Sequence, residues 1–260
     1  MKSDISENVI LYDWLTVSSK EEDPQAWVKL LGMESCGWEE LGHGRNGYRK
    51  GLYFGSISIL YDGNPGMGAC LDMSGQGCRS FEEYGTGDFD GLFRLFQHGE
   101  GYHVSRLDVA FDDHSGILDI QRLFRDSDKD GDGVQQFVSK FRKSRIEKEF
   151  KDGRPGITVY HGSKKSAVLI RIYDKAAERD LPEGQHWVRV ELQLRDERAE
   201  AFCFRQRADR RPVPGRAGEL CPLCRRSRNG QQPLALAYEG LLGRPDRAGG
   251  PNPALCEAGS

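Results

Sequence analysis

Ser105-Arg106-Leu107-Asp108-Val109-Ala110-Phe111-Asp112 alternates apolar and polar side chains at the period of a β-strand. Residues two apart on a strand point the same way, so Leu107, Val109 and Phe111 share one face and Arg106, Asp108 and Asp112 the other. Two later segments repeat the pattern. In Val168-Leu169-Ile170-Arg171-Ile172-Tyr173-Asp174-Lys175, the apolar set Val168, Ile170 and Ile172 opposes Arg171, Tyr173 and Lys175. In Val188-Arg189-Val190-Glu191-Leu192-Gln193-Leu194-Arg195, the four aliphatic residues oppose Arg189, Glu191, Gln193 and Arg195. Were the three in one sheet, its polar face would hold carboxylates, a tyrosine and several cations. Such a face suits a metal and phosphate site, because carboxylate oxygens ligate Mg²⁺ or Mn²⁺ and cations neutralise phosphoryl charge. The competing reading is a solvated sheet face laced with cross-strand salt bridges.

Outward from these segments, strands are also predicted over Leu11 to Ser18, Gly51 to Tyr61, Gly68 to Ser74, Tyr102 to Asp112, Gly156 to His161, Ala167 to Asp174 and Trp187 to Arg195. Turn chemistry separates them, as at Asp62-Gly63-Asn64-Pro65 and Asp152-Gly153-Arg154-Pro155-Gly156. Helical spacing marks Pro24 to Gly32, Phe89 to Phe96, Leu118 to Arg125 and Val134 to Lys148. This mixture predicts an α+β fold, a mainly antiparallel sheet with helices on one face.

The 260 residues divide by composition. Residues 206–260 carry seven of the eleven prolines and nine arginines but no lysine, isoleucine, phenylalanine or tryptophan. So little apolar surface cannot offset the entropy of ordering a chain, so a domain over 1–205 and a low-order tail over 206–260 are expected. The tail reads either as a basic, Pro-rich interaction segment or as a shifted reading frame or artificial terminus, the second being favoured. Without it the chain has 28 basic and 35 acidic residues, a net charge of −7. That balance opposes nonspecific coating of nucleic acid and leaves room only for a local basic cleft. No run reaches the roughly 20 apolar residues of a membrane span, and the N-terminus is polar. Seven scattered cysteines form no disulfide framework. A cytoplasmic protein with reduced thiols and no membrane partner is expected.

Several motifs occur in order along the chain: Asp13-Trp14-Leu15-Thr16-Val17, Met73-Ser74-Gly75-Gln76-Gly77-Cys78-Arg79, Arg106 to Asp113, Tyr160-His161-Gly162-Ser163, Arg171-Ile172-Tyr173-Asp174-Lys175-Ala176-Ala177-Glu178, and Arg189-Val190-Glu191-Leu192. Together they resemble the replication initiation factor family of rolling-circle initiators and conjugative-element relaxases, over about Val9 to Phe204. The resemblance implies an HUH-like sheet on which a tyrosine attacks a DNA phosphodiester, stays joined to the 5′ phosphate and frees a 3′ hydroxyl for replication. By position it implies Tyr173 as nucleophile and Asp108 in an acidic metal site, with Asp112 and Glu191 as further members. Lys175 would ease phenolate formation or bind the scissile phosphate, since a tyrosine with a pKa of about 10 is otherwise a poor nucleophile. The cofactor implied is Mg²⁺ or Mn²⁺ on carboxylates, because no His-x-His pair is present. The implied partners are origin DNA, single-stranded or supercoiled, with a host helicase and polymerase and a second copy of the chain, in a bacterial cytoplasm. The alternative is a non-catalytic origin-binding or regulatory protein, or an inactive truncated relative.

Arg106, Arg171, Arg189, Lys164 and Lys165 are the candidate DNA contacts. Ser74 to Gly77 could present backbone N–H groups to phosphates, though a tight hairpin turn is the stronger reading. Phe54, Tyr84 and Tyr160 could stack unpaired bases but read better as core. Asp128-Lys129-Asp130-Gly131-Asp132-Gly133 begins like a calcium loop, yet its twelfth position is Ser139 and a turn is expected. Cys221-Pro222-Leu223-Cys224 lacks a second ligand pair. Asp119 and the Glu147 to Glu149 run look like solvated helix charges.

Overall fold

The computed structural model describes residues 8–20, 23–121, 144–151, 154–182 and 184–205. The calcium-like loop, the tail and its Cys221/Cys224 pair, and most of the helices expected over Leu118 to Arg125 and Val134 to Lys148 lie outside the described residues.

Among the described residues ten strands form one antiparallel sheet: β1 (Val9–Ser19), β2 (Glu39–Leu41), β3 (Lys50–Phe54), β4 (Ile57–Tyr61), β5 (Ala69–Ser74), β6 (His103–Asp113), β7 (Ser144–Lys151), β8 (Arg154–His161), β9 (Val168–Asp174) and β10 (Val188–Arg195). Their order across the sheet is β2-β3-β4-β5-β1-β6-β10-β9-β8-β7. The three strands read first from the sequence are therefore neighbours, with Gln193 opposite Asp108 and Arg171 opposite Glu191.

The apolar face is the core. Leu15, Leu71, Met73, Leu107, Val109, Ile172, Val190 and Leu192 are all buried on it. Helices α1 (Pro24–Leu31), α2 (Gly75–Tyr84), α3 (Phe89–His98) and α5 (Glu197–Arg205) cover that face, and α4 (Lys175–Glu178) is a single turn after β9. Local chemistry explains the ends of α1: Asp23 accepts from the Gln25 N–H, Pro24 occupies the first turn, and Gly32 closes the helix at φ 67. In α3, buried Phe89, Leu92, Phe93 and Phe96 fall at helical spacing. Phe89 and Phe93 meet Tyr12 of β1 with ring centroids 4.6 and 5.2 Å away. Among the described residues no helix is long and apolar enough to cross a membrane.

Four sequence expectations change. The run Gly51 to Tyr61 is a hairpin, because Gly55 at φ 55 permits a two-residue turn that leaves the apolar alternation in register. Ser74 to Gly77 is the start of α2 rather than a hairpin turn, since Cys78 and Phe81 bury themselves on the sheet despite the poor helix propensity of two glycines. Residues 144–151 pair as a strand, with Ile146 opposite Val159 and Phe150 opposite Pro155, so Glu147 and Glu149 are not helix charges. Tyr84, expected in the core, is 52% exposed and packs edge-on against half-buried Phe54, centroids 5.6 Å apart, with Trp38 beside them.

Candidate functional site

On the polar face, the first half of β1, the end of β5 and most of the length of β6, β9 and β10 line a cleft of about 790 Å³. Among the residues expected from the sequence, Tyr173, Lys175, Asp108, Asp112, Glu191, Arg106, Lys164, Arg171 and Arg189 line it, and so does Tyr160; Lys165 does not. Eight cationic and five acidic side chains surround the cleft, a local net charge of +3. A body with a strongly acidic composition thus carries a positive cleft.

Tyr173 projects from β9 and is only 5% exposed. Its hydroxyl accepts from Lys175 Nζ at 3.4 Å and from Arg171 Nη2 at 3.5 Å, and the Arg171 guanidinium lies 4.5 Å from the ring centroid. Asp174 caps the one-turn α4 by accepting from the Ala177 N–H, and the Trp187 carbonyl accepts from the Lys175 and Ala176 N–H groups. Those bonds fix where the lysine leaves the sheet, and its ammonium also pairs with Glu178. Burial pushes the Tyr173 phenol well above the ordinary tyrosine value and the charge of Glu191 adds to this, while Arg171 and Arg189 pull it only part of the way back.

The acids divide into two groups. Asp112 is held in a two-pronged ion pair by Arg189, with Nε to Oδ1 at 2.6 Å and Nη2 to Oδ2 at 2.7 Å. The third guanidinium nitrogen of Arg189 reaches Asp13 Oδ1 at 2.9 Å. Asp112 and Arg189 therefore form a buried brace joining β6, β10 and β1. Glu191, Asp108 and Asp13 make up the second group. Burial raises Glu191 to about 7; Arg171 opposes the shift, and Asp13 and Asp108 reinforce it. Burial likewise raises Asp108, against its ion pair with Arg106 at 3.0 and 2.6 Å.

Three mutually repelling hard-oxygen groups have the chemistry to hold Mg²⁺ or Mn²⁺. Their arrangement is not closed: Asp108 and Glu191 turn toward Arg106 and Arg171. Among the described residues no three His, Cys, Asp or Glu side chains are disposed to hold a metal ion. Cross-strand salt bridges and a cleft of acids, cations and a tyrosine thus coexist on this face.

Asp13 enters the cleft beside Trp14 through a feature that alternation cannot reveal. Strict parity places Asp13 with Leu15 and Val17 on the core face. The β1–β6 register instead shifts between Tyr12 and Trp14, so Leu11 opposes Ala110 and Trp14 opposes Asp108. This β-bulge puts two consecutive side chains, Asp13 and Trp14, in the cleft. The first turn of α2 approaches closely here, because a Cβ on Gly75 would sit 2.4 Å from Asp13 Oδ1. Ser74 makes no side-chain cap, and Ser74, Gln76 and Arg79 face the cleft. Arg179 and Trp187 also line it without any signal in the sequence pattern.

The comparisons with known proteins agree along the chain. A model of the rolling-circle replication initiation protein N-terminal domain matches residues 9–98, and a model of the replication initiation factor matches residues 102–210. The putative DNA relaxase NicK of Bacillus subtilis (strain 168) is 31% identical over 205 residues, 74% of this chain and 57% of that protein. The chain therefore spans less than two thirds of the length of that relative. The rolling-circle replication initiator protein from Geobacillus stearothermophilus matches with a TM-score of 0.69 at 29% identity, covering 76% of this chain and 78% of that one. A ten-stranded antiparallel sheet, a tyrosine-bearing cleft on its helix-free face and matches that tile residues 9–210 lead to one assignment: the chain belongs to the replication initiation factor family of rolling-circle initiators.

Proposed function

We propose that the chain is a sequence-specific DNA nicking and joining protein that starts rolling-circle replication of a phage or related mobile element. The observation that carries this reading is the convergence, in one positive cleft, of Tyr173 with Lys175, Arg171 and the acidic group around Glu191. Tyr173 Oη attacks the scissile phosphorus, the P–O3′ bond breaks and a 5′-phosphotyrosine forms. The phenol loses one proton and the 3′ oxygen gains one, so the exchange is reversible and its reverse joins strands. Lys175 and Arg171 stand where they stabilise the phenolate and the charge on the transferring phosphoryl group. Glu191, held near neutrality, suits a role in taking the phenolic proton. To hold Mg²⁺ or Mn²⁺, Asp108 and Glu191 would have to leave Arg106 and Arg171 and turn toward Asp13; an ion so held would supply positive charge to a phosphoryl oxygen. Asp112 and Arg189 position Asp13 and stand outside the reacting groups, so Arg189 is a brace more than a DNA contact. Lys164 lines the wall for phosphate contact, whereas the Arg106 guanidinium is tied to Asp108 and lies over Trp14.

The test is incubation with Mg²⁺ or Mn²⁺ and single-stranded oligonucleotides tiled across the replication region of the chain's own element, followed by denaturing electrophoresis. A protein–DNA adduct that disappears in Tyr173→Phe supports the proposal. Hydrolysis surviving Tyr173→Phe indicates a water-based nuclease, and a mobility shift with no adduct indicates a binding protein. Metal binding has its own readout, a Mn²⁺-dependent rise in melting temperature that is reduced in Asp13→Asn.

A further inference from the structure

Trp14 is a large aromatic side chain, partly exposed, on the charged side of the sheet. It stands on the face away from buried Leu15 and Val17, and the bulge of β1 sets Asp13 beside it. Its indole N–H donates to Asp72 Oδ1 and Thr16 Oγ1, both at 2.9 Å, and Thr16 Oγ1 donates to Asp72 at 2.7 Å. Arg45 pairs with the same aspartate. This network fixes the plane of the ring. Over that ring, 4.0 Å from its centroid, lies the guanidinium of Arg106, whose own orientation is set by the two bonds to Asp108. Two flat groups are thus stacked and locked from both ends, in a cleft whose other lining is mostly charged.

We infer that the Trp14–Arg106 stack is a seat for one unpaired base of the DNA strand, a few nucleotides from the scissile phosphate. This inference rests on the nicking reading and adds to it how the strand is positioned. Cations such as Arg171 and Lys164 recognise phosphate, which every nucleotide carries. A rigid indole with a guanidinium layered on it recognises the flat face of a base, which duplex DNA keeps covered. The spacing agrees. Trp14 opposes Asp108, four residues along β6 from the Asp112 level, which Arg189 links to Tyr173. The seat is therefore roughly 14 Å along the strands and, three strands over, roughly 14 Å across from the nucleophile. A strand spanning that interval passes over Gln193 and Asp108, which also line the cleft.

The test uses the full chain carrying Tyr173→Phe, so that binding is read without chemistry. Two fluorescently labelled 12-mers are compared by anisotropy: oligothymidylate, and a backbone of the same length and charge built of abasic tetrahydrofuran sugars. The seat predicts about tenfold tighter binding of oligothymidylate. Trp14→Ala should lower the oligothymidylate affinity to the abasic level, leave the abasic affinity unchanged and so remove the preference, whereas Trp14→Phe should keep most of it and control for folding. An equal loss on both oligomers in Trp14→Ala, an undiminished preference, or no preference at the outset would overturn the inference. The adduct assay with Tyr173 intact is a separate reading: base preference that depends on Trp14 without any adduct keeps the seat and removes the nickase.

Discussion

Replacing Arg189 with methionine removes the guanidinium that binds Asp112 and Asp13 together while keeping a chain of similar length. The side chains of Arg189, Asp112 and Asp13 are 9, 5 and 17% exposed, so solvent screens the pair weakly. Breaking a buried ion pair by removing one partner costs about 3 to 5 kcal/mol, because the other charge stays buried without compensation. Here two carboxylates lose their partner, which places Arg189→Met at the upper end, about 4 to 5 kcal/mol. Asp112→Asn keeps one hydrogen bond to Arg189 and should cost less, about 2 to 3 kcal/mol. The double variant Arg189→Met with Asp112→Leu should recover about 2 kcal/mol or more of the summed losses, since no unpaired ion then remains at the Asp112 position. Urea unfolding followed by far-ultraviolet circular dichroism, in EDTA and again in Mn²⁺, gives the four stabilities. Additive losses, or a cost under about 1 kcal/mol for Arg189→Met, would refute the brace. A loss in Asp112→Asn that appears only with Mn²⁺ present would return Asp112 to the metal ligands.

Other perturbations test the remaining contacts. With its phenol held above the ordinary value, Tyr173 is neutral at pH 7 and must pass its proton to Glu191, which burial raises to about 7, so the adduct-forming rate should climb as pH rises toward about 7 and level off above it, and Glu191→Gln should remove that inflection. Asp113 is fully buried and accepts from the Leu118 N–H at 2.6 Å, the Ser115 N–H at 3.0 Å and the Ser115 hydroxyl at 2.8 Å, so Asp113→Asn should cost about 2 to 3 kcal/mol in urea unfolding. Burial pushes that carboxyl up, but the hydrogen bonds outweigh it and the folded value is depressed. Its stabilising contribution is therefore present above about pH 4 and lost as pH falls through the folded value, so the stability of Asp113→Asn should vary less with pH over about 2 to 4. Gly75→Ala should displace Asp13 and slow adduct formation about tenfold, while the melting temperature stays within a few degrees because alanine favours the helix.

The sequence made the composition of the cleft legible where alternation was unbroken. In β6, β9 and β10 each charged residue falls on the parity that the structure shows, and their adjacency completes the face. Where two periods coincide, the reading failed: Ile146 and Phe150 are four apart, which suits a helix or a strand, and long-range pairing with β8 decides for the strand. Where one residue is inserted, parity itself misleads, and it places Asp13 on the core face; Trp14 has the right parity, but a lone aromatic carries no signal of a site. Gly75 and Gly77 concealed α2 because propensity is local, whereas the burial of Cys78 and Phe81 depends on strands elsewhere in the chain.

The strand order also dictates when the cleft comes into being. β1 is the first strand made, yet its two neighbours end at Ser74 and Asp113, and β6 must wait for Val188–Arg195 to gain its other partner. Such distant pairings make for slow folding. Asp13 and Trp14 emerge from the ribosome well before Asp108, and more than 150 residues before Tyr173 and Glu191. A nascent chain therefore holds every part of its N-terminal half without a working site. On the nicking proposal, attack on DNA therefore has to wait until synthesis has passed Arg195.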